Sequence, residues 1–246
     1  MEFTVRLANK NIAVSSLFDE VFDYCCDYLT DASPDMSVTI TNEDITHEKI
    51  TNIKESQIEE IPIVDYSDSY LETLAVYRKI VTKMLEFDTF LMHGAVVAVG
   101  DKAWLFTAPS GTGKTTHINL WLKNIPGSYV VNGDKPLIHV GDECTVYGTP
   151  WAGKEGMNRN TGVKLCGIVI LNRGAENHIE KVPMSQILPV LIQQSYRPKT
   201  RPELEKTLLL LNRLGHKIPM YQLYCNMNDE AALTAYNVLS GADNER

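Results

Sequence analysis

At 246 residues, the chain is long enough for one large α/β domain, or for one domain with a small appendage. A hydrophobic share of 44% and a net charge of −8 are typical of a globular protein with a core and argue against a nucleic-acid-binding surface. No apolar run approaches the roughly 18 residues that a membrane span needs. The five cysteines form no C-x-x-C pair and residues 1–7 lack the apolar region of a signal peptide, so we expect a cytoplasmic protein with reduced thiols and no membrane partner.

Residues 1–66 are predicted to form an N-terminal α/β extension without catalytic motifs. Ser16 is expected to cap a helix that reaches Leu29. The polar, acidic stretch 41–60 predicts connecting structure with little core, and apolar spacing predicts an amphipathic helix at residues 70–85. Alternating apolar and polar residues predict three strands, at residues 3–7, 12–14 and 36–40.

Residues 67–246 are predicted to form the second domain, with a strand-rich middle and a helical C-terminal part. Only one helix is obvious among the middle strands, so the pattern departs from the regular alternation of a doubly wound fold. We therefore expect a mixed, β-rich sheet. The predicted strands lie at residues 94–99, 103–107, 128–132, 136–140, 144–147, 165–171 and 221–224, and the later helices at 185–194, 200–214 and 230–239.

The segment APSGTGKTT, residues 108–116, predicts a phosphate-binding loop between a strand and a helix. Ala108 stands at the first glycine position of the usual pattern. Small residues allow backbone amides to converge on phosphate oxygens, Lys114 would reach the β- and γ-phosphates, and the Thr115 hydroxyl would contact Mg²⁺. The predicted nucleotide-binding residues are Ser110, Gly111, Thr112, Gly113, Lys114, Thr115 and Thr116.

Three further segments accompany this loop: His93-Gly94, the run VVNGD at residues 130–134, and the run GTPW at residues 148–151. In this order and spacing they resemble the HPr kinase/phosphorylase catalytic domain, within the superfamily related to phosphoenolpyruvate carboxykinase. The resemblance covers about residues 70–240 and is greatest to short, stand-alone members found beside peptide-modifying enzymes. It implies an α/β fold with a P-loop kinase core of mixed, β-rich sheet.

The resemblance implies an enzyme that transfers the γ-phosphate of ATP to a hydroxyl, in the best-known member a serine of a small carrier protein. ATP and Mg²⁺ are the implied cofactors, and a peptide or small protein is the implied acceptor. Lys114 and the loop amides would hold the triphosphate, and Asp134 would hold Mg²⁺ together with Thr115. His93 matches a family histidine near the phosphates. HPr kinases assemble into rings, which leaves a homo-oligomer open for this chain.

One residue departs from the family pattern. HPr kinases carry two adjacent aspartates where this chain has Gly133-Asp134, and the first of the pair is the expected general base. The base could instead be Asp134, Glu155 or His93, because only geometry decides which group reaches the acceptor hydroxyl. Two other functions stay open: a small-molecule kinase on the same scaffold, and a non-catalytic module that senses ATP.

Several other side chains allow two interpretations. Trp151 could pack in the core or stack on a nucleotide base. Arg159 and Lys164 could meet phosphate charge, and the basic cluster at residues 197–201 could dock an acidic substrate, although solvated loops explain all of them. His117 is predicted to be structural.

Overall fold

The computed structural model describes residues 1–58, 62–109 and 111–241. The protein is mixed α/β, and its contacts divide the chain into two compact units, Met1–Lys83 and Met84–Arg246. The sequence-based domain boundary after residue 66 stays a prediction.

The first unit contains a three-stranded sheet in the order β1-β2-β3. β1 and β2 pair antiparallel, and Ala8 and Asn9 between them have φ angles of +46° and +60°, as a two-residue hairpin turn requires. β3 lies parallel to β2. The elements are β1 (Glu2–Leu7), β2 (Lys10–Ser15), α1 (Glu20–Tyr24), β3 (Met36–Thr39), α2 (Asn42–Ile58) and α3 (Asp68–Met84).

The prediction of connecting structure at residues 41–60 is wrong, because α2 occupies most of this stretch. The Asp44 carboxylate accepts hydrogen bonds from the Thr41 amide and hydroxyl, both at 2.9 Å, at the start of the helix. Glu48 is only 4% exposed and is neutralised by the Arg78 guanidinium, whose Nη2 donates to it at 2.8 Å. α2 therefore buries a glutamate that pairs with a partly exposed arginine of α3, at a position where an apolar residue would have been recognised.

The helix predicted from Ser16 to Leu29 is also wrong in extent. α1 has only five residues, and a single 3₁₀ turn, Cys26–Tyr28, follows it. The Ser16 hydroxyl donates to the Phe18 carbonyl and does not cap the helix. In contrast, the amphipathic helix predicted at residues 70–85 is confirmed as α3.

The second unit is organised around a mixed sheet in the order β4-β8-β9-β10-β6-β5-β7, with β12 beside β10 and β11 beside β12. This arrangement confirms the predicted mixed, β-rich sheet, although β4 and β11 were not expected. The strands are β4 (Thr89–Leu91), β5 (Ala95–Val99), β6 (Lys102–Thr107), β7 (Ser128–Asn132), β8 (Leu137–Val140), β9 (Cys144–Tyr147), β10 (Gly162–Arg173), β11 (His178–Val182) and β12 (Met220–Cys225).

Helices cover both faces of this sheet, as expected for a helical C-terminal part. They are α4 (Lys114–Asn124), α5 (Met184–Gln194), α6 (Arg201–Lys217) and α7 (Glu230–Gly241). Because side chains alternate along a strand, Trp104 and Phe106 pack with α4 and α7, while Leu105 packs on the other face with α5 and α6. Two apolar cores result, one on each face.

Three neighbouring strands of this unit run in the same direction. β10 pairs parallel with β6 along Lys164 to Ile170, and parallel with β12 along Ile168 to Arg173. Their carboxyl ends therefore meet at one edge of the sheet, where ligands commonly bind in parallel α/β sheets.

Candidate functional site

Residues 108–113 connect the carboxyl end of β6 to the start of α4. Gly111 and Gly113 have φ angles of +74° and +119°, in the left-handed region that favours glycine. A Cβ atom at either position would meet no atom within 4 Å, so the backbone of both residues borders open space. Ser110 lies outside the described residues.

The helix α4 begins immediately after this loop, with Gly113 as its cap residue. The first amides of a helix have no acceptor one turn earlier, and the aligned peptide dipoles add positive charge there. Lys114, Thr115 and Thr116 occupy these positions. The strand–loop–helix context predicted for the segment is present. The amino end of α4 is chemically suited to binding an anion.

Two cationic side chains bond to carbonyl groups of the loop. Lys114 Nζ donates to the Ala108 carbonyl at 2.8 Å, and Arg173, at the end of β10, donates to the carbonyls of Gly111 at 2.6 Å and Thr112 at 3.3 Å. Burial lowers the pKa of Lys114, while the nearby charge of Asp134 opposes that shift. Sequence reasoning missed Arg173, since nothing in its local pattern distinguishes it from a solvated arginine.

The side chains of His93 and Asp134 lie at hydrogen-bond distance, with His93 Nε2 2.7 Å from Asp134 Oδ1. The backbones are joined as well, since the Gly94 amide donates to the Asp134 carbonyl at 2.8 Å. Burial raises the pKa of Asp134, but the hydrogen bond and charge of His93 and the charges of Lys135 and Lys114 outweigh it and lower the pKa. Asp134 is therefore a carboxylate at neutral pH.

A buried amide–hydroxyl pair fixes the turn that carries Asp134. Asn132 Oδ1 accepts the amides of Asp134 at 2.8 Å and Lys135 at 2.7 Å. Its Nδ2 donates to the carbonyl and hydroxyl of Thr149, at 3.0 and 3.1 Å, and that hydroxyl donates to the Lys135 carbonyl at 2.9 Å. Asn132 and Thr149 are each fully buried. The GTPW segment thus supports the Asp134 turn, a positioning role that was not predicted from the sequence.

Two glycines allow the surrounding backbones to approach closely. A Cβ on Gly148 would lie 1.9 Å from the Arg159 carbonyl oxygen, and a Cβ on Gly133 would lie 2.7 Å from that of Ala152. The Gly133 amide donates to the Met157 carbonyl at 2.9 Å. No side chain fits at position 133 without a backbone shift, so there is no room for a carboxylate at this position.

Most of the predicted site residues line one cavity of about 500 Å³. Glu155 and Lys154 reach it on a loop bounded by Gly153 and Gly156, whose φ angles are +79° and +61°. Thr112 is absent from the lining of this cavity. The lining residues are His93, Gly111, Gly113, Lys114, Thr115, Thr116, Gly133, Asp134, Gly153, Lys154 and Glu155.

The donor set fits Mg²⁺ bound together with a phosphate ligand. Within the described residues, no group of three or more histidine, cysteine, aspartate or glutamate side chains is arranged to hold a metal ion. Mg²⁺ characteristically uses one or two carboxylates and completes its shell with substrate phosphates and water. The Asp134 carboxylate and the Thr115 hydroxyl border the same cavity and match that requirement.

The remaining candidates have structural partners. Trp151 is 2% exposed, which supports packing over base stacking. The Arg159 guanidinium lies 4.5 Å from the centre of the Tyr129 ring, and Lys164 pairs with Glu143 at 2.8 Å. Within the basic cluster at residues 197–201, Arg201 pairs with Glu205 at 2.7 Å.

His117 is a residue of α4 whose side chain is buried, in agreement with its predicted structural role. Its Nε2 accepts a hydrogen bond from Trp121 Nε1 at 3.1 Å. Burial lowers the pKa of His117 to about 4, so the ring is neutral at physiological pH. This histidine is therefore a core residue.

Comparison with solved structures finds distant structural similarity. No family model matches the chain, and no curated protein matches it. The HPr(Ser) kinase/phosphatase from Coxiella burnetii superposes with a TM-score of 0.36 and 9% identity, over 63% of this chain and 95% of that one. At this level of similarity the function has to be argued from the cavity. No helix among the described residues is long and apolar enough to span a membrane.

Proposed function

We propose that the protein is a kinase that transfers the γ-phosphate of Mg²⁺-bound ATP to a hydroxyl of a peptide or small protein. One observation carries the proposal: a single cavity is bordered by the glycine-rich loop, the start of α4, and the His93–Asp134 pair. Phosphoryl transfer demands mainly positioning and charge stabilisation, and this set of groups supplies both. The acceptor class follows from the resemblance of the motifs.

The triphosphate is placed against the open backbone of Gly111 and Gly113 and the first amides of α4. Lys114 would exchange its Ala108 carbonyl for the β- and γ-phosphate oxygens. Thr115 and Asp134 would hold Mg²⁺, which offsets the negative charge of the phosphates. The lowered pKa of Asp134 suits a metal ligand, because a ligand carboxylate must be ionised.

Glu155 is assigned as the acceptor of the hydroxyl proton. Asp134 is a poor candidate for the base, because its carboxylate contacts His93 and its pKa is lowered. His93 is a poor candidate because its Nε2 faces the Asp134 carboxylate. Of the carboxylates lining the cavity, this leaves Glu155, which is exposed at the rim where an acceptor would enter. A positioned base accounts for a factor of about 10² to 10⁴ in rate.

The test measures transfer of labelled γ-phosphate to a peptide pool or cell extract, with Mg²⁺ present. We expect a labelled peptide with the wild type and none with Lys114→Ala or Asp134→Asn. Glu155→Gln should lower kcat by about 10² to 10⁴ while the affinity for ATP stays unchanged. Lys154→Gln, which alters the neighbouring side chain of the same loop, is the matched control and should retain most of the activity.

A second function, an ATP-sensing module without transfer, is favoured by one observation, the lack of space for a carboxylate at Gly133. It predicts tight Mg²⁺-dependent ATP binding with no labelled acceptor, and identical behaviour of wild type and Glu155→Gln. Label that appears only on free metabolites would instead identify a small-molecule kinase.

A further inference from the structure

We propose that a second cavity, at the carboxyl ends of β6, β10 and β12, receives the base of the nucleoside triphosphate. This inference rests on the proposed use of a nucleotide and locates the part of the donor that the phosphate loop does not hold. The cavity has a volume of about 480 Å³, within the range of about 300–1,000 Å³ that is usual for small-molecule sites.

The position of this cavity is fixed by the phosphate loop. Gly111, Gly113 and Thr116 border both this cavity and the one that contains Lys114 and Asp134. A single ligand can therefore extend from one cavity to the other across the loop. Since the loop binds the phosphate end in the proposed function, the remaining end of the ligand is its nucleoside.

The wall of the second cavity is rich in carbon and sulfur. Leu120 lies one turn after Thr116 on the same face of α4, Leu171 lies near the end of β10, and Met227 follows β12. Met227 is 78% exposed, so its thioether side chain is accessible to a ligand in this cavity. A flat heteroaromatic ring fits between such side chains, and a methionine sulfur adds favourable contact with an aromatic ring.

Arg173, Asn226 and His117, three of the polar side chains at the cavity, already bond within the protein. Arg173 holds the Gly111 and Thr112 carbonyls, and Asn226 donates to the Ala175 carbonyl at 3.0 Å and accepts the Asn228 amide at 3.0 Å. His117 accepts the Trp121 indole. The base is therefore held by apolar contact with few edge-specific hydrogen bonds. We expect ATP and GTP to bind with affinities within about tenfold of each other, because discrimination by shape alone is weak.

The experiment compares ATP with inorganic tripolyphosphate, each with Mg²⁺, by calorimetric titration. Tripolyphosphate has the phosphate chain without the nucleoside. Leu120→Trp fills the cavity from α4, and Leu122→Trp is the matched control, because Leu122 is exposed on the same helix and does not line the cavity. Met227→Ala removes an exposed lining side chain and carries little risk to folding. Thermal unfolding of each variant verifies the fold.

We expect Leu120→Trp to lower the affinity for ATP at least about tenfold. Met227→Ala should lower it about threefold, because apolar contact is lost. Tripolyphosphate should bind equally to the wild type and both variants, and Leu122→Trp should change neither ligand. Lys114→Ala should lower the affinity for both ATP and tripolyphosphate.

Three results would overturn the inference. ATP affinity could be unaffected by Leu120→Trp and Met227→Ala, which would place the base elsewhere. The affinity for tripolyphosphate could fall in parallel with that for ATP, which would mean that the substitutions only distort the phosphate loop. A catalytic defect with unchanged ATP affinity would assign the cavity to the acceptor. If neither ligand binds the wild type, the proposed function fails as well, whereas ATP binding without transfer removes the kinase and leaves the base site standing.

Discussion

Placing an aspartate at position 133 tests whether a carboxylate there could serve as the base of the proposed kinase. A Cβ on Gly133 would lie 2.7 Å from the Ala152 carbonyl oxygen, closer than real Cβ atoms come to other heavy atoms. The contacting atom is backbone, so relief requires a shift of the segment that leads into Gly153. We therefore expect Gly133→Asp to fall short of the wild type in phosphate transfer.

The cost follows from the size of the clash. Inserting atoms into a packed region without space costs about 1–3 kcal/mol. For a chain of this length, each kcal/mol lowers Tm by about 2–4 °C. Gly133→Ala and Gly133→Asp should therefore unfold about 2–12 °C below the wild type, given the range of both factors.

Thermal unfolding measures the decrease in Tm, and labelled γ-phosphate transfer measures the loss of activity. Gly241→Ala is the matched control, since a Cβ at Gly241 meets no atom within 4 Å and the residue ends a helix. That variant should unfold at or slightly above the wild-type temperature, because alanine favours helix. Faster transfer by Gly133→Asp, at unchanged Tm, would refute the reasoning.

The other predictions concern buried groups near the site. Thr149→Val should cost about 1–3 kcal/mol in urea unfolding by removing the buried hydrogen bond from the Thr149 hydroxyl to the Lys135 carbonyl, and should also weaken Mg²⁺-dependent ATP binding. Thr207→Val removes a buried hydroxyl that bonds only within α6, and calorimetry should find its ATP binding unchanged. Asp134→Asn should abolish the dependence of ATP binding on Mg²⁺, which titration with and without the ion detects. The pKa of His117 is lowered to about 4 from its ordinary 6.5, so the unfolded chain binds its proton first as the solution is acidified. Protonation of His117 in the unfolded chain should lower the free energy of unfolding by about 2–3 kcal/mol between pH 7 and pH 4.5. In urea unfolding, His117→Gln should lose less stability than the wild type over this pH range. An equal loss in both proteins would contradict the prediction.

The loop and its flanks could be predicted from the sequence because their signals are local. A short apolar strand, small residues with positive φ, and a helix follow one another within residues 103–124. Each signal depends on neighbours in the chain, and the structure places them as expected. The nucleotide-binding role of the loop stays a prediction.

The pairing of His93 with Asp134 could not be obtained from local signals. His93 precedes β5 and Asp134 follows β7, and these strands are antiparallel neighbours in which Val96 lies opposite Asn132. The start of one strand and the end of the other therefore share one edge of the sheet. Sequence pattern predicted both strands but not their pairing, so only the resemblance brought the two residues together.

Polar positioning residues were missed for a related reason. Asn132, Thr149 and Arg173 act through partners distant in sequence, and an asparagine or threonine in a turn is ordinary turn chemistry by itself. α2 was missed because Arg78, from another helix, neutralises the glutamate that this helix buries. In each case the role of the residue depends on a contact with a partner distant in sequence, which local sequence pattern does not reveal.

The contact that excludes a side chain at position 133 also connects that position to the loop carrying Glu155. The Gly133 amide donates to the Met157 carbonyl at 2.9 Å, and the Ala152 oxygen occupies the space of a Cβ, so the segment from 152 to 157 is held against the turn at both ends. Between these contacts the chain carries Glu155 to the rim of the cavity. Under the kinase proposal, an aspartate at 133 and Glu155 at the rim are mutually exclusive, because the aspartate would displace the segment that positions the glutamate. The double variant Gly133→Asp, Glu155→Gln should therefore be no more active than Glu155→Gln alone, and recovery of transfer in it would show that the two carboxylates can substitute for each other.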